Sequence, residues 1–158
     1  MASCLIIGYG NPLRSDDGFG WKAAIALEPQ VSPADGHVIA AQQLTPELAD
    51  AVSRASRVLF LDASHQGEPG EIRMQPVHRN ASFQAAAISH HLSPADVLEL
   101  AYRHCGAEPD ATLLTVTGQN FALGEILSPP VEIAWKPCLE RVLEWVRALE
   151  SVRYPTNT

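Results

Sequence analysis

The chain has 158 residues, 46% of them hydrophobic, which fits one globular domain over 1–158 and excludes a fibrous repeat or a long disordered tail. A chain of this length buries roughly two-thirds of its unfolded surface, enough for a core without staples. Eleven Lys and Arg stand against 18 Asp and Glu, a formal charge of −7, which argues against nucleic acid and leaves small molecules, metal ions or a basic protein segment as partners.

Cys4 to Tyr9 (CLIIGY) is a short apolar run closed by Gly8 and Gly10, the pattern of a buried strand. A polar loop, Asn11 to Asp17, leads to a helix-forming stretch, Trp21 to Leu27, that stops at Pro29. His37 to Leu44 suits a second strand. Thr45-Pro46-Glu47-Leu48 opens a helix, with Thr45 as N-cap and Pro46 at the first helical position. Arg57 to Ala63 (RVLFLDA) carries the strongest strand pattern in the chain. After a turn at Gly67 to Gly70, Glu71 to Val77 alternates Ile72, Met74 and Pro76 with polar neighbours, and the short turn makes it an antiparallel edge strand. Ser93-Pro94-Ala95-Asp96 is a capping box. From it Val97, Leu98, Ala101, Tyr102 and Cys105 form one apolar stripe, ended by Gly106. Ala111 to Thr117 reads as a fifth strand. Val131 to Val152 reads as a long helix with Leu139, Val142, Leu143, Val146 and Leu149 on one face, kinked or restarted at Pro137. Strands alternating with helices imply an α/β domain with a mostly parallel sheet.

Four places can carry chemistry. In Gly8-Tyr9-Gly10-Asn11-Pro12-Leu13, a dinucleotide fingerprint would have glycine at Leu13. It would also have an acid ending the second strand, where Gln42, Gln43 and Leu44 stand, so a plain tight turn competes with a nucleotide site. In Ser15-Asp16-Asp17-Gly18-Phe19-Gly20, the two carboxylates either cap a helix or face a site at the carboxyl end of a parallel strand. Gly18 and Gly20 cost stability in a first helical turn and fit the approach of a second backbone, so Gly18→Val is expected to stop function while sparing the fold. Asp62 ends the third strand and lies level with Asp17 if the first and third strands are neighbours; otherwise it is a turn residue. His90 and His91 sit just before the Ser93 cap, and adjacent residues of an extended segment face opposite ways, so only one of them can look toward the carboxylates.

Asp17, Asp62 and a histidine make an oxygen, oxygen, nitrogen set able to hold zinc, nickel, manganese or iron with open positions. No G-x-S-x-G elbow is present, and no cysteine stands beside a basic residue in a site loop. Cys4, Cys105 and Cys138 contain no C-x-x-C pair and read as small buried hydrophobes in a reducing compartment. No apolar run reaches the roughly 18–20 residues of a membrane span, and no basic n-region opens the chain. The expectation is a cytoplasmic protein without a membrane partner.

The run Ile6 to Gly20 (IIGYGNPLRSDDGFG) resembles the signature of the nickel–iron hydrogenase maturation endopeptidases, in which G-x-G-N-x-L-x-x-D-[DE]-G-x-G follows the first strand. The resemblance continues in Gln43 to Leu48, in Phe60 to Ala63 with Gly67 to Gly70 behind it, in Ser89-His90, in Leu92 to Leu98, and in Gly118-Gln119 with Gly124 to Val131. Asp17 stands where glutamate is frequent, and Ile126 where glycine is expected. The resemblance implies a three-layer α/β/α fold around a twisted five-stranded sheet with one antiparallel edge strand. It implies an endopeptidase that clips a short C-terminal extension from the large-subunit precursor of a hydrogenase after nickel insertion. Asp17, Asp62 and His90 would be the metal contacts and catalytic groups, with His90 rather than His91 as nitrogen ligand. The metal would be the substrate's nickel or another divalent ion at the same site. Gly10, Asn11, Asp16, Gly18 and Gly20 would bind substrate, and the protein would act as a monomer. The competing expectation is a metal-sensing or nucleotide-binding module without catalysis; an aminopeptidase-like hydrolase would need more ligands than this set offers.

Overall fold

The computed structural model describes residues 3–84 and 91–153, the last five by backbone alone. Five strands, β1 (Cys4–Tyr9), β2 (Gly36–Ala41), β3 (Arg57–Ser64), β4 (Ile72–Pro76) and β5 (Asp110–Thr117), form one sheet in the order β2-β1-β3-β5-β4. β1 is parallel to both β2 and β3, and β3 is parallel to β5. β4 runs antiparallel to β5 at the edge, as its short preceding turn requires. Four helices flank the sheet: α1 (Phe19–Leu27), α2 (Leu48–Ser53), α3 (Pro94–Cys105) and α4 (Pro129–Arg153).

Alternation along the strands sorts the core into two faces. Ile6, Leu59, Leu61, Leu114 and Val116 point to one side, where Phe19, Ala23 and Leu27 of α1 and Ala134, Cys138 and Val142 of α4 cover them. Leu5, Ile7, Val58 and Phe60 point to the other, under Ala49 and Val52 of α2 and Val97, Leu98 and Ala101 of α3. The result is the three-layer α/β/α arrangement. Both central strands are covered on both faces, which explains their unbroken apolar runs.

Several boundaries depart from the sequence expectation, each for a local reason. β2 stops at Ala41, leaving Gln42 to Leu44 outside the strand. The helix expected from Thr45 begins only at Leu48, because Thr45 and Pro46 carbonyls accept from Leu48 and Ala49, three residues on, in a tighter turn. The Thr45 hydroxyl bonds the Glu47 carboxylate rather than the helix backbone. The capping box at Ser93 and Asp96 and the left-handed Gly106 at the far end of α3 are as the sequence indicates. The buried stripe of α3 is Val97, Leu98, Leu100 and Ala101, whereas Tyr102 and Cys105 are exposed. Tyr102 lies at the surface, where the Arg79 guanidinium covers its ring at 3.6 Å. α4 runs through Pro137 without restarting. Cys4 and Cys138 are buried, and burial pushes the Cys138 thiol up to about 12.

The segment before α3 is fastened to that helix by charge. Glu99 is buried between Arg79, at 2.8 Å, and Arg103, at 3.0 Å, and Arg103 also donates to the Phe83 carbonyl at 2.7 Å.

Gly8 of β1 and Gly20 of α1 meet where helix and sheet are closest. A Cβ on Gly20 would lie 2.3 Å from the Leu61 carbonyl oxygen and 2.5 Å from that of Tyr9. A Cβ on Gly8 would lie 2.0 Å from the Gly20 carbonyl oxygen. Gly20 therefore serves the close helix–strand packing that a dinucleotide fingerprint assigns to a glycine at position 13. Gly20→Ala is expected to cost about 3 kcal/mol, the upper range for overpacking, measured as a lowered urea midpoint at unchanged slope.

Candidate functional site: an acidic pair at the carboxyl ends of the central strands

β1 and β3 pair with Gly8 opposite Leu61, so the next residues, Tyr9 and Asp62, are neighbours at the carboxyl edge of the sheet. Both belong to the face that carries Leu5, Ile7, Val58 and Phe60. After Tyr9 the chain turns through Gly10, which has φ +146° and whose Cβ would lie 1.9 Å from the Asp17 carbonyl oxygen. The Asn11 side chain accepts from the Leu13 amide at 2.9 Å and shapes the loop. A short 3₁₀ turn, Ser15–Gly18, then brings Asp17 back toward the strand ends, and its Oδ2 accepts from the Asn11 amide at 2.9 Å.

The electrostatics of the three groups are linked. Burial pushes the Asp62 carboxyl up to about 7, and the Asp17 charge adds to it, against hydrogen bonds from Tyr9 and the Ala63 amide that pull it down. The Ala63 amide donates to Asp62 Oδ1 at 2.8 Å. Burial, the charge and hydrogen bond of Asp62, and the charge of Asp17 push the Tyr9 hydroxyl well above its ordinary range, so it remains a donor. A carboxyl group held near neutrality beside a second carboxylate can accept or release a proton at physiological pH.

The two carboxylates expected to share a site, Asp17 and Asp62, are thus together. His90 lies outside the described residues. His91 is described and exposed. Among the described residues no cluster of three His, Cys, Asp or Glu side chains forms a metal site. The other expected site residues divide. Asp16 is fully buried and takes no part in an open surface. Its oxygens accept from the amides of Gln119 (2.8 Å), Asn120 (2.9 Å) and Ser128 (2.8 Å) and from the Ser128 hydroxyl (2.6 Å). Burial opposes its charge, but the Ser128 hydroxyl and the Asn120, Ser128 and Gln119 amides outweigh it and hold this carboxyl below the usual range.

At Gly18 and Gly20 a second backbone does come close, but it is the chain's own. A Cβ on Gly18 would lie 2.5 Å from Pro12 Cα, so Gly18→Val strains the loop and does not spare the fold. Gly10 is buried, and its amide donates to the Ala41 carbonyl at 3.1 Å. With the Asn11 amide already given to Asp17, this turn offers a carboxylate where a nucleotide phosphate would need donors.

Tyr9, beside Asp62 in the candidate site, is the residue that sequence reasoning missed. Its signal was present: it ends β1 one place beyond Gly8, as Asp62 follows Leu61 in β3. A groove of about 570 Å³ lined by Trp21, Ile25 and Trp135 lies between α1 and α4, across the sheet from Asp62.

A domain of this topology, with Asp62 at the carboxyl end of β3 and Asp17 in the turn after β1, is of the open-sheet α/β class that places ligand sites at that edge. No protein-family model matches the chain, and no curated protein sequence does. Solved structures do. The hydrogenase maturating endopeptidase HybD from E. coli superimposes with a TM-score of 0.72 at 26% identity, over 92% of this chain and 93% of that one. Hydrogenase 2 maturation peptidase from a Thaumarchaeota archaeon gives 0.68 at 25% identity, over 91% and 97%. The [NiFe] hydrogenase maturation protease HycI from Thermococcus kodakarensis gives 0.73 at 22% identity, over 92% and 93%, a likeness of fold. The chain is a structural relative of the nickel–iron hydrogenase maturation proteases along nearly its whole length.

Two outcomes follow from these charges. Asp16→Asn should destabilise the protein by about 3 kcal/mol at neutral pH, since an amide cannot accept from all four donors. Because the Asp16 value is lowered by folding, its stabilisation is complete above about pH 4 and is lost as pH falls through the folded-state value, so the wild-type and variant melting curves converge in acid. Asp62 runs the other way: its raised value costs the fold stability progressively as pH rises from about 4, and the cost is complete above about pH 7. Asp62→Asn should therefore raise the melting temperature of the metal-free protein at about pH 8, with the gain fading toward about pH 4.

Proposed function

We propose that this protein is an endopeptidase that removes a short C-terminal extension from the nickel-loaded large-subunit precursor of a nickel–iron hydrogenase. The observation that carries the reading is the likeness, over more than nine-tenths of the chain, to maturation endopeptidases at 25–26% identity. The acidic pair at the strand ends supports it from the chemistry. Nothing in the fold favours the sensing or nucleotide-binding alternative.

In this reading the nickel belongs to the substrate. Asp17 and Asp62, with His90, offer oxygen and nitrogen contacts to that ion, and the same set would accept another divalent metal. A divalent ion at a peptide bond polarises its carbonyl and acidifies a bound water. Asp62 is the group we assign to take a proton from that water and pass it to the leaving amine. Asp17, kept in place by the Asn11 amide, supplies the second oxygen contact. The protease works as a cytoplasmic monomer, and its excess of acidic residues suits a basic or metal-bearing protein surface.

The test is incubation with nickel-loaded and nickel-free precursor, followed by mass measurement of the precursor's C-terminus. Only loaded precursor should lose its tail. Asp62→Asn should slow the cut by about 100-fold or more, the usual contribution of a positioned acid–base group. Equal cleavage of loaded and empty precursor would remove the role given to nickel, and absence of cleavage of either would remove the protease reading.

A further inference from the structure

Tyr9 is not part of the ligand set just described, yet the fold gives it a defined place in the site. The β1–β3 register sets it beside Asp62, and strand alternation turns both side chains to the α2/α3 face. Its ring packs against the buried cluster of that face, half-buried, while its hydroxyl donates to the Asp62 carboxylate. Asp62 is otherwise held through Oδ1 by the amide of its own neighbour, Ala63, at 2.8 Å. That local bond holds one carboxyl oxygen from within the same strand. A donor on a rigid ring, reaching across from the adjacent strand, gives the carboxylate a second anchor.

We propose that Tyr9 is a positioning residue for the reaction: its hydroxyl fixes the Asp62 carboxylate in one orientation beside Asp17, ready for the metal-bearing end of the substrate. The inference rests on the reading of Asp62 as a site residue. Three features support Tyr9 as the agent. Its ring is anchored on the apolar face, so the hydroxyl is held and does not search. It is adjacent to Gly10, whose left-handed turn carries the loop to Asp17, so strand end, loop and both acids form one unit. It also supplies a neutral donor, which steadies a carboxylate without neutralising the negative field that a divalent ion needs. A lysine or arginine in the same place would compete with that ion. The arrangement is a hydrogen-bonded outer partner orienting an inner carboxylate, a relationship whose loss typically costs about 10–100-fold in metal affinity or activity.

The experiment compares wild type, Tyr9→Phe, Asp62→Asn and the double variant on the nickel-loaded precursor, with kcat and KM measured separately. Carbon-13 NMR of aspartate-labelled protein follows the Asp62 carboxyl resonance, which is identified by its loss in Asp62→Asn. Tyr9→Phe removes one oxygen atom and keeps the ring, so its melting temperature should stay close to wild type. It should shift the Asp62 resonance and lower kcat by about tenfold with KM little changed. In the Asp62→Asn background it should have no further effect. Tyr9→4-aminophenylalanine, which restores a donor on the same ring, should recover most of the rate.

An unchanged resonance and unchanged kcat in Tyr9→Phe would overturn the inference while leaving the endopeptidase reading intact. Losses from the two single variants that multiply in the double variant would overturn it as well. If Asp62→Asn itself cuts at the wild-type rate, the assignment of Asp62 fails and the role of Tyr9 fails with it.

Discussion

The buried carboxylate of Asp16 is the interaction on which the carboxyl edge of the sheet depends. It sits in a turn that local sequence would not hold, since Ser15 before it has φ +51°, a costly value for a residue with a side chain. The cost is met from outside the turn. Three backbone amides and one hydroxyl, all from residues 119–128, converge on one carboxyl group. The Ser15 amide and hydroxyl add bonds to the Gly124 and Ala122 carbonyls. The segment between β5 and α4 is thereby tied to the segment between β1 and α1. Asp17 is the next residue along, so its position follows from bonds made by its neighbour.

The second constraint is steric. Gly8 and Gly20 allow α1 to lie directly on β1 and against the end of β3, and the Gly20 position contacts the backbone of both Tyr9 and Leu61. One short helix start therefore touches both strands whose tips carry Tyr9 and Asp62. Electrostatics then divides two acids of this edge, Asp16 and Asp62, into opposite roles. Asp16, supplied with four donors, is a stable anion and a structural clasp, whereas Asp62, with fewer donors and a like charge nearby, is held near neutrality. The sequence neighbourhood of Asp16 hides its structural role, because that role is written in residues more than a hundred positions away.

Much of the fold was legible in the sequence because its signals are local. The apolar runs of β1 and β3, the capping box at Ser93 and the glycine stop at Gly106 each report on a few adjacent residues, and each is present in the structure. The errors fall where distant contacts decide. Tyr102 fits the apolar spacing of α3, but Arg79 from outside the helix claims its ring. Gly18 and Gly20 announce a close backbone, but only the tertiary fold says whose backbone it is. The pairing of Asp17 with Asp62 needed just one assumption, that β1 and β3 are adjacent, and that adjacency holds. The same assumption contained Tyr9, which reading by residue type passed over, because a tyrosine at a strand end looks like core.

The antiparallel edge strand has a further consequence. An open sheet edge is a template on which extended segments can add by backbone pairing, and folded proteins suppress this with short strands, charges and proline. β4 has all three: five residues, Arg73 ion-paired to Glu71 beside it, and Pro76 as its last residue, without an amide hydrogen to donate. A stray tail therefore finds little ladder to extend along that margin, and growth of the sheet beyond β4 into a larger aggregate is discouraged by the strand itself.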